Sequence, residues 1–203
     1  MKKEILLYTV FERLWHWTQM LLIFLLVITG FEVHGSCHIV GFKDACMYHD
    51  YFGWALVTLT VFGIFWHLVT GEWKQYIPNV TNIMGVAFYY FIGMFKGHPH
   101  PFQKSRERKL NPLQQVSYLF FVFLLLVQVI SGVLYYFPVW SKKFVGLSLE
   151  TIALVHTAVA FLMISFIIVH ICMATTGPTI FTYIKSMITG REEIEQFEDY
   201  TTK

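Results

Sequence analysis

The chain has 203 residues, of which 56% are hydrophobic and 14% charged, with a formal net charge of +2. A soluble domain carries about 25% charged residues, so the composition excludes an ordinary water-soluble globule and points to lipid as the solvent. The small positive charge, with no basic patch interleaved with aromatics, argues against a nucleic-acid partner.

In chain order, the first apolar run extends from Leu14 to Phe31. It is longer than a signal-peptide core and lacks a small-residue cleavage site, so it is expected to be a retained span. The following loop holds Cys37 and Cys46. A disulfide there is one reading if the loop faces an oxidising compartment; two free thiols is the other. His34-Gly35-Ser36-Cys37-His38 lacks the first cysteine of the C-x-x-C-H haem-attachment motif. A second run covers Tyr51 to Gly71, a third Leu113 to Phe137 and a fourth Thr151 to Thr175, where Gly177-Pro178 ends the helix. Cys172 lies in this last run and is expected to pack. With interfacial margins the spans are 14–33, 50–71, 113–137 and 151–175.

A fifth apolar stretch, Ile83 to Phe95, is short for a span. With four spans, twelve Lys and Arg residues fall at the termini and in the long central loop, against three (Lys43, Lys142 and Lys143) in the other two loops. The positive-inside rule then places both termini in the cytoplasm. A fifth span would carry the cluster from Lys96 to Lys109 outside, so 83–95 is read as an amphipathic helix on the cytoplasmic surface. No strand pattern or repeat is evident, and the polar tail 191–203 is expected outside the bilayer. The expected fold class is therefore an all-α integral membrane protein: one domain, a four-transmembrane-helix bundle, with a short interfacial helix between spans two and three.

The histidines point to chemistry. His156 and His170 are fourteen residues apart in the fourth span, which returns them to within roughly 40° of one helix face and separates them by about 21 Å. Ionisable side chains in membrane spans are rare and usually functional. By depth, His49 at the outer end of span two pairs with His156, and His16 at the cytoplasmic end of span one pairs with His170. Neutral imidazole is a good iron ligand, so two b-type haems, each held by two histidines from different helices, is the reading these positions support. His67 shares a face with His49 eighteen residues away and is the alternative inner ligand. Its rise of about 27 Å does not match the 21 Å of span four, which favours His16. Gly30 and Gly132 are candidate sites of close macrocycle approach or of helix packing.

Five stretches, Glu12–Trp17, Tyr48–Gly53, Lys109–Gln115, Leu154–Met173 and Ile184–Gly190, together resemble the prokaryotic diheme cytochrome b subunits of membrane-bound formate dehydrogenase (the gamma subunit) and of nickel–iron hydrogenase. The resemblance implies the same ligand pairs, His49/His156 for the outer haem and His16/His170 for the inner. It also implies a quinone pocket beside the inner haem that uses Asn111, backbone at Leu113, and Gln114. It offers no ligand role for His67. His98 and His100 sit in a histidine-rich loop, either handling quinone protons or simply solvated.

The resulting expectation is an electron-transfer subunit in a bacterial-type inner membrane. A redox partner on the outer face, an oxidoreductase or an iron–sulfur or multihaem subunit, would deliver electrons that reduce menaquinone or ubiquinone near the cytoplasmic face. The reverse direction, quinol oxidation feeding an outer-face reductase or multihaem cytochrome c, uses the same parts. A haem-free membrane anchor or transporter is the reading of a different class. The chain has no cysteine cluster for iron–sulfur centres and no nucleotide-binding glycine motif, so primary substrate chemistry is expected in a partner.

Overall fold

The computed structural model describes residues 2–79, 81, 83–98, 101, 102 and 104–195. His100 and the tail 196–203 lie outside the described residues. Strand β1 (Lys2–Leu6) leads into α1 (Val10–Val33), α2 (Phe42–Thr70), α3 (Ile83–Phe88), α4 (Pro112–Tyr136), α5 (Pro138–Phe144), α6 (Leu149–Ala174), α7 (Thr182–Thr189) and β2 (Arg191–Glu195). Helices α1, α2, α4 and α6 are long and apolar enough to cross a membrane. At 24 to 29 residues they reach about 36–44 Å, more than the roughly 30 Å of a hydrocarbon core. Large apolar side chains such as Val61, Leu68, Leu154 and Val169 remain exposed, as a lipid-facing surface requires.

The helix starts are written into the sequence. Thr9 caps α1: its Oγ1 accepts the Glu12 N–H at 3.3 Å, and Glu12 Oε2 accepts the Thr9 N–H at 2.7 Å. Asn111 and Gln114 do the same for α4 at 2.8 and 3.0 Å, with Pro112 in the first helical position. Both are reciprocal capping boxes. Helix α2 starts at Phe42, well before the apolar run, so His49 stands in its second turn rather than at its edge. Buried Glu32, near the end of α1, organises the loop before α2: its Oε1 accepts the N–H groups of Ile39, Val40 and Gly41 at 2.9, 2.8 and 2.6 Å.

Two compact units account for the contacts. The first comprises Leu14–Thr70 and Phe120–Ile171. Its core is Ile23, Leu56, Leu124, Leu125, Val159 and Met163. On α1 and α6 these residues fall between the two histidine levels, so an apolar layer separates His16 and His170 from His49 and His156.

The second unit comprises Met1–Arg13, Gly71–Leu119 and Cys172–Lys203. Here β1 and β2 pair antiparallel, from Lys2 opposite Glu195 to Leu6 opposite Arg191. No strand pattern marks these segments in the sequence. The ribbon has only five residues a side, mostly charged and without alternation, and it exists because residues 2–6 and 191–195 are brought together by the fold. Gly190 closes α7 at φ +82°; an added Cβ would lie 2.5 Å from the Tyr8 carbonyl, while Gly190 O accepts the N–H groups of Leu7 and Tyr8. Stretch 83–95 is helical but irregular: α3 gives way to a wider turn over Tyr89–Gly93 and a tight one over Met94–Lys96. Cys172 is exposed rather than packed, because its face of α6 points outward, and Cys37 and Cys46 are separate thiols.

Candidate functional site

Four of the predicted histidines meet in pairs. The rings of His49 on α2 and His156 on α6 have centres 6.3 Å apart with planes at 78°. Those of His16 on α1 and His170 on α6 are 6.2 Å apart at 53°. No direct imidazole–imidazole hydrogen bond is needed to explain such spacings. A ring nitrogen binds a metal at about 2 Å, and the ring centre lies a little over 1 Å beyond it, so two imidazoles facing across one iron have centres roughly 6 Å apart.

Their surroundings also suit a ligand role. Thr29 Oγ1 gives its one proton to the Leu25 carbonyl at 2.8 Å, so toward His49 Nδ1, 3.0 Å away, it accepts. Ser131 Oγ likewise donates to the Gln128 carbonyl at 3.1 Å and accepts from His156 Nδ1 at 2.9 Å. With the hydroxyl protons so spent, the arrangement accommodates a proton on Nδ1 of both rings, which leaves the Nε2 lone pair for iron. A glycine follows each hydroxyl. An added Cβ would lie 3.3 Å from His49 Cε1 at Gly30 and 3.2 Å from His156 Cε1 at Gly132. The room these glycines leave is thus occupied by the imidazoles.

At the inner pair, His16 Nδ1 is buried with no hydrogen-bond partner among the described residues, and Phe166 stacks on His170 with ring centres 6.0 Å apart. One contact runs against the fit: Gln128 Nε2 sits 3.1 Å from His156 Nε2, where iron would bind. Gln128 Oε1 has no partner among the described residues, so no second contact of that oxygen opposes turning the amide away. The two histidine pairs have the spacing that bis-histidine ligation of haem iron requires.

His67 joins neither pair. Its Nδ1 donates to its own helix at Gly63 O, 2.7 Å away, and its ring lies edge-to-face with Trp15, 5.1 Å between centres. An added Cβ at Gly63 would come within 2.7 Å of Trp15 Nε1, so this glycine admits the indole.

The residues singled out for quinone lie in the other unit. Asn111 is buried, its Oδ1 used in the α4 cap and its Nδ2 donating to Tyr90 Oη at 3.2 Å. Gln114 Oε1 completes that cap, and the Leu113 carbonyl accepts from Ser117 Oγ at 2.8 Å. All three therefore have structural work at the start of α4. Buried Lys109 nearby bridges Glu12 and Glu72 at 2.8 and 2.9 Å. Lys104 pairs with Glu192 at 3.0 Å and lies over the Tyr183 ring at 3.8 Å. Burial holds the Lys104 ammonium below its usual range and pushes the phenols of Tyr8, Tyr76, Tyr90 and Tyr183 up. His98 is exposed at the end of this segment.

The family described as prokaryotic cytochrome b561 matches residues 7–190. A protein of Escherichia coli (strain K12) named "Putative cytochrome YdhU" is 30% identical over 198 residues, covering 93% of this chain and 74% of that one.

Proposed function

Because the chain belongs to the prokaryotic cytochrome b561 family, we propose that His49 and His156 hold one b-type haem and His16 and His170 a second. The protein is an integral membrane cytochrome of the b type that transfers electrons across the membrane. What supports the two-haem reading is the pair of ring separations, 6.3 and 6.2 Å, each matching two imidazoles across one iron and each built from two helices. When bound, haem iron gains and loses one electron at a time.

The chain's own residues do the remaining work. Thr29 and Ser131 fix the tautomer of the outer ligands. The Ile23, Leu56, Val159 and Met163 layer keeps water from between the two levels. With both termini cytoplasmic in a bacterial-type inner membrane, His49 and His156 form the outer level, facing a redox partner subunit. His16 and His170 form the inner level, and a haem held there would supply the electrons that reduce menaquinone or ubiquinone near the cytoplasmic face.

Asn111, with Tyr90 beside it, is the polar position from which the quinone oxygen is held. Because Asn111 also caps α4, its removal is a poor test of quinone binding. Asn111→Asp keeps the capping oxygen and removes the amide donor. The test is haem quantification on the purified protein with quinone-linked turnover of the native complex. Two b-type haems per chain are expected, and Asn111→Asp keeps both while turnover falls. One haem or none refutes the ligand set; undiminished turnover in Asn111→Asp removes that residue from the quinone site.

A further inference from the structure

The two histidine pairs differ in what stands behind them. Both outer rings rest on hydroxyls, His49 on Thr29 and His156 on Ser131, at 3.0 and 2.9 Å. The two supports follow one local design on different helices: Ile28-Thr29-Gly30 on α1 and Ile130-Ser131-Gly132 on α4. In each, the hydroxyl spends its proton on its own helix and the next glycine clears the ring edge. His16 of the inner pair has no such support, its Nδ1 being buried without a partner among the described residues.

An imidazole whose N–H is held by an acceptor is oriented and is a more basic ligand. A more basic ligand favours the ferric over the ferrous iron, which lowers the reduction potential. Both ligands of the outer level receive this support, whereas His16 does not.

We propose that Thr29 and Ser131 are positioning residues that hold the midpoint potential of the outer haem below that of the inner one. With haem bound at both levels, an electron delivered at the outer level would move inward downhill, the electron lost by one iron being the one gained by the other. This rests on the ligand pairs and the inward flow proposed above and adds to them the residues that set the potential difference.

Potentiometric titration of the two haem bands in the full-length protein tests it, with His49→Ala identifying the outer band by its loss. The outer band of the unaltered protein is expected to be the lower in potential. Thr29→Val and Ser131→Ala should each raise the outer midpoint by up to about tenfold in the reduction equilibrium, about 59 mV for one electron, and leave the inner one in place. Thr29→Ser, which keeps the hydroxyl, should restore the original value. If Thr29→Val instead loses the outer haem, its recovery in Thr29→Ser supports the same role, and no recovery overturns it. An outer midpoint above the inner one, unmoved by the variants, or moved equally with the inner, also overturns it. Failure of the ligand pairing itself is distinguishable, because it appears in the unaltered protein as a missing haem, or in His49→Ala as two haems retained.

Discussion

Replacing Gly132 with alanine puts the outer ligand set under a defined strain. The added Cβ would stand 3.2 Å from His156 Cε1 and 3.7 Å from Nδ1, where carbon–carbon contacts are comfortable at about 3.5–4.0 Å. The ring must give by a few tenths of an ångström. Its bond to Ser131 Oγ starts at 2.9 Å and would lengthen by a similar amount, while ligand–metal distances tolerate only about 0.2 Å. One of the two contacts must weaken. Loss of a supporting contact of this kind weakens metal binding about 10–100-fold, or about 1.4–2.8 kcal/mol. Gly53→Ala is the control. It lies in the same class of apolar helix with nothing within 4 Å of the new Cβ, so it should gain about 0.5–1 kcal/mol of helix stability and keep both haems. The assay is haem content and band-resolved reduced spectra of the two variants, purified alike, with thermal unfolding beside them. Full occupancy of the outer haem in Gly132→Ala, at wild-type potential, would refute the reasoning.

Lys109→Met strands the carboxylates of Glu12 and Glu72 that it now bridges. Breaking a buried pair costs about 3–5 kcal/mol; Glu72 is partly exposed, so the lower end is expected, read as a melting temperature several degrees lower. The tyrosines set an alkaline limit. The phenols of Tyr8, Tyr76 and Tyr183 are raised by burial above 10.0, so the unfolded chain ionises first; their contribution is intact below pH 10 and is lost as pH climbs past it. Lys104, lowered from 10.5, acts in the opposite sense just below that value. The melting temperature should therefore decline above pH 10, less steeply in Tyr8→Phe, with tyrosinate absorbance reporting the ionisation; a flat profile would contradict this. Glu32→Ala removes the acceptor of three backbone N–H groups. Hydrogen exchange at residues 39–41 should accelerate at least tenfold, and unchanged exchange would show that the carboxylate does not hold the loop.

The large features were legible because their signals are long. Four apolar runs need only length, and the fourteen-residue interval between His156 and His170 needs only helix geometry. Depth alone selected His16 over His67, and the structure brings His16, not His67, to His170. What escaped was tertiary. Thr29 and Ser131 serve histidines on other helices, 20 and 25 residues away, and no local pattern announces a hydroxyl as an imidazole acceptor. Gly30 and Gly132 stand out in the sequence as sites of close macrocycle approach or helix packing, but that imidazoles lie against them depends on neighbouring helices. The capping boxes at Thr9–Glu12 and Asn111–Gln114 could have been read directly, and doing so would have shown that Asn111 and Gln114 already hold α4. The β1–β2 ribbon was beyond sequence reading, since two mostly charged five-residue segments carry no strand pattern and pair only through tertiary structure.

The central claim is that four imidazoles act as two specific pairs, and reduced difference spectra of the four single histidine-to-alanine variants test it most directly. His49→Ala and His156→Ala should lose one and the same band, and His16→Ala and His170→Ala the other, with His67→Ala keeping both. Loss of the inner band in His67→Ala, or partners that erase different bands, would contradict the pairing.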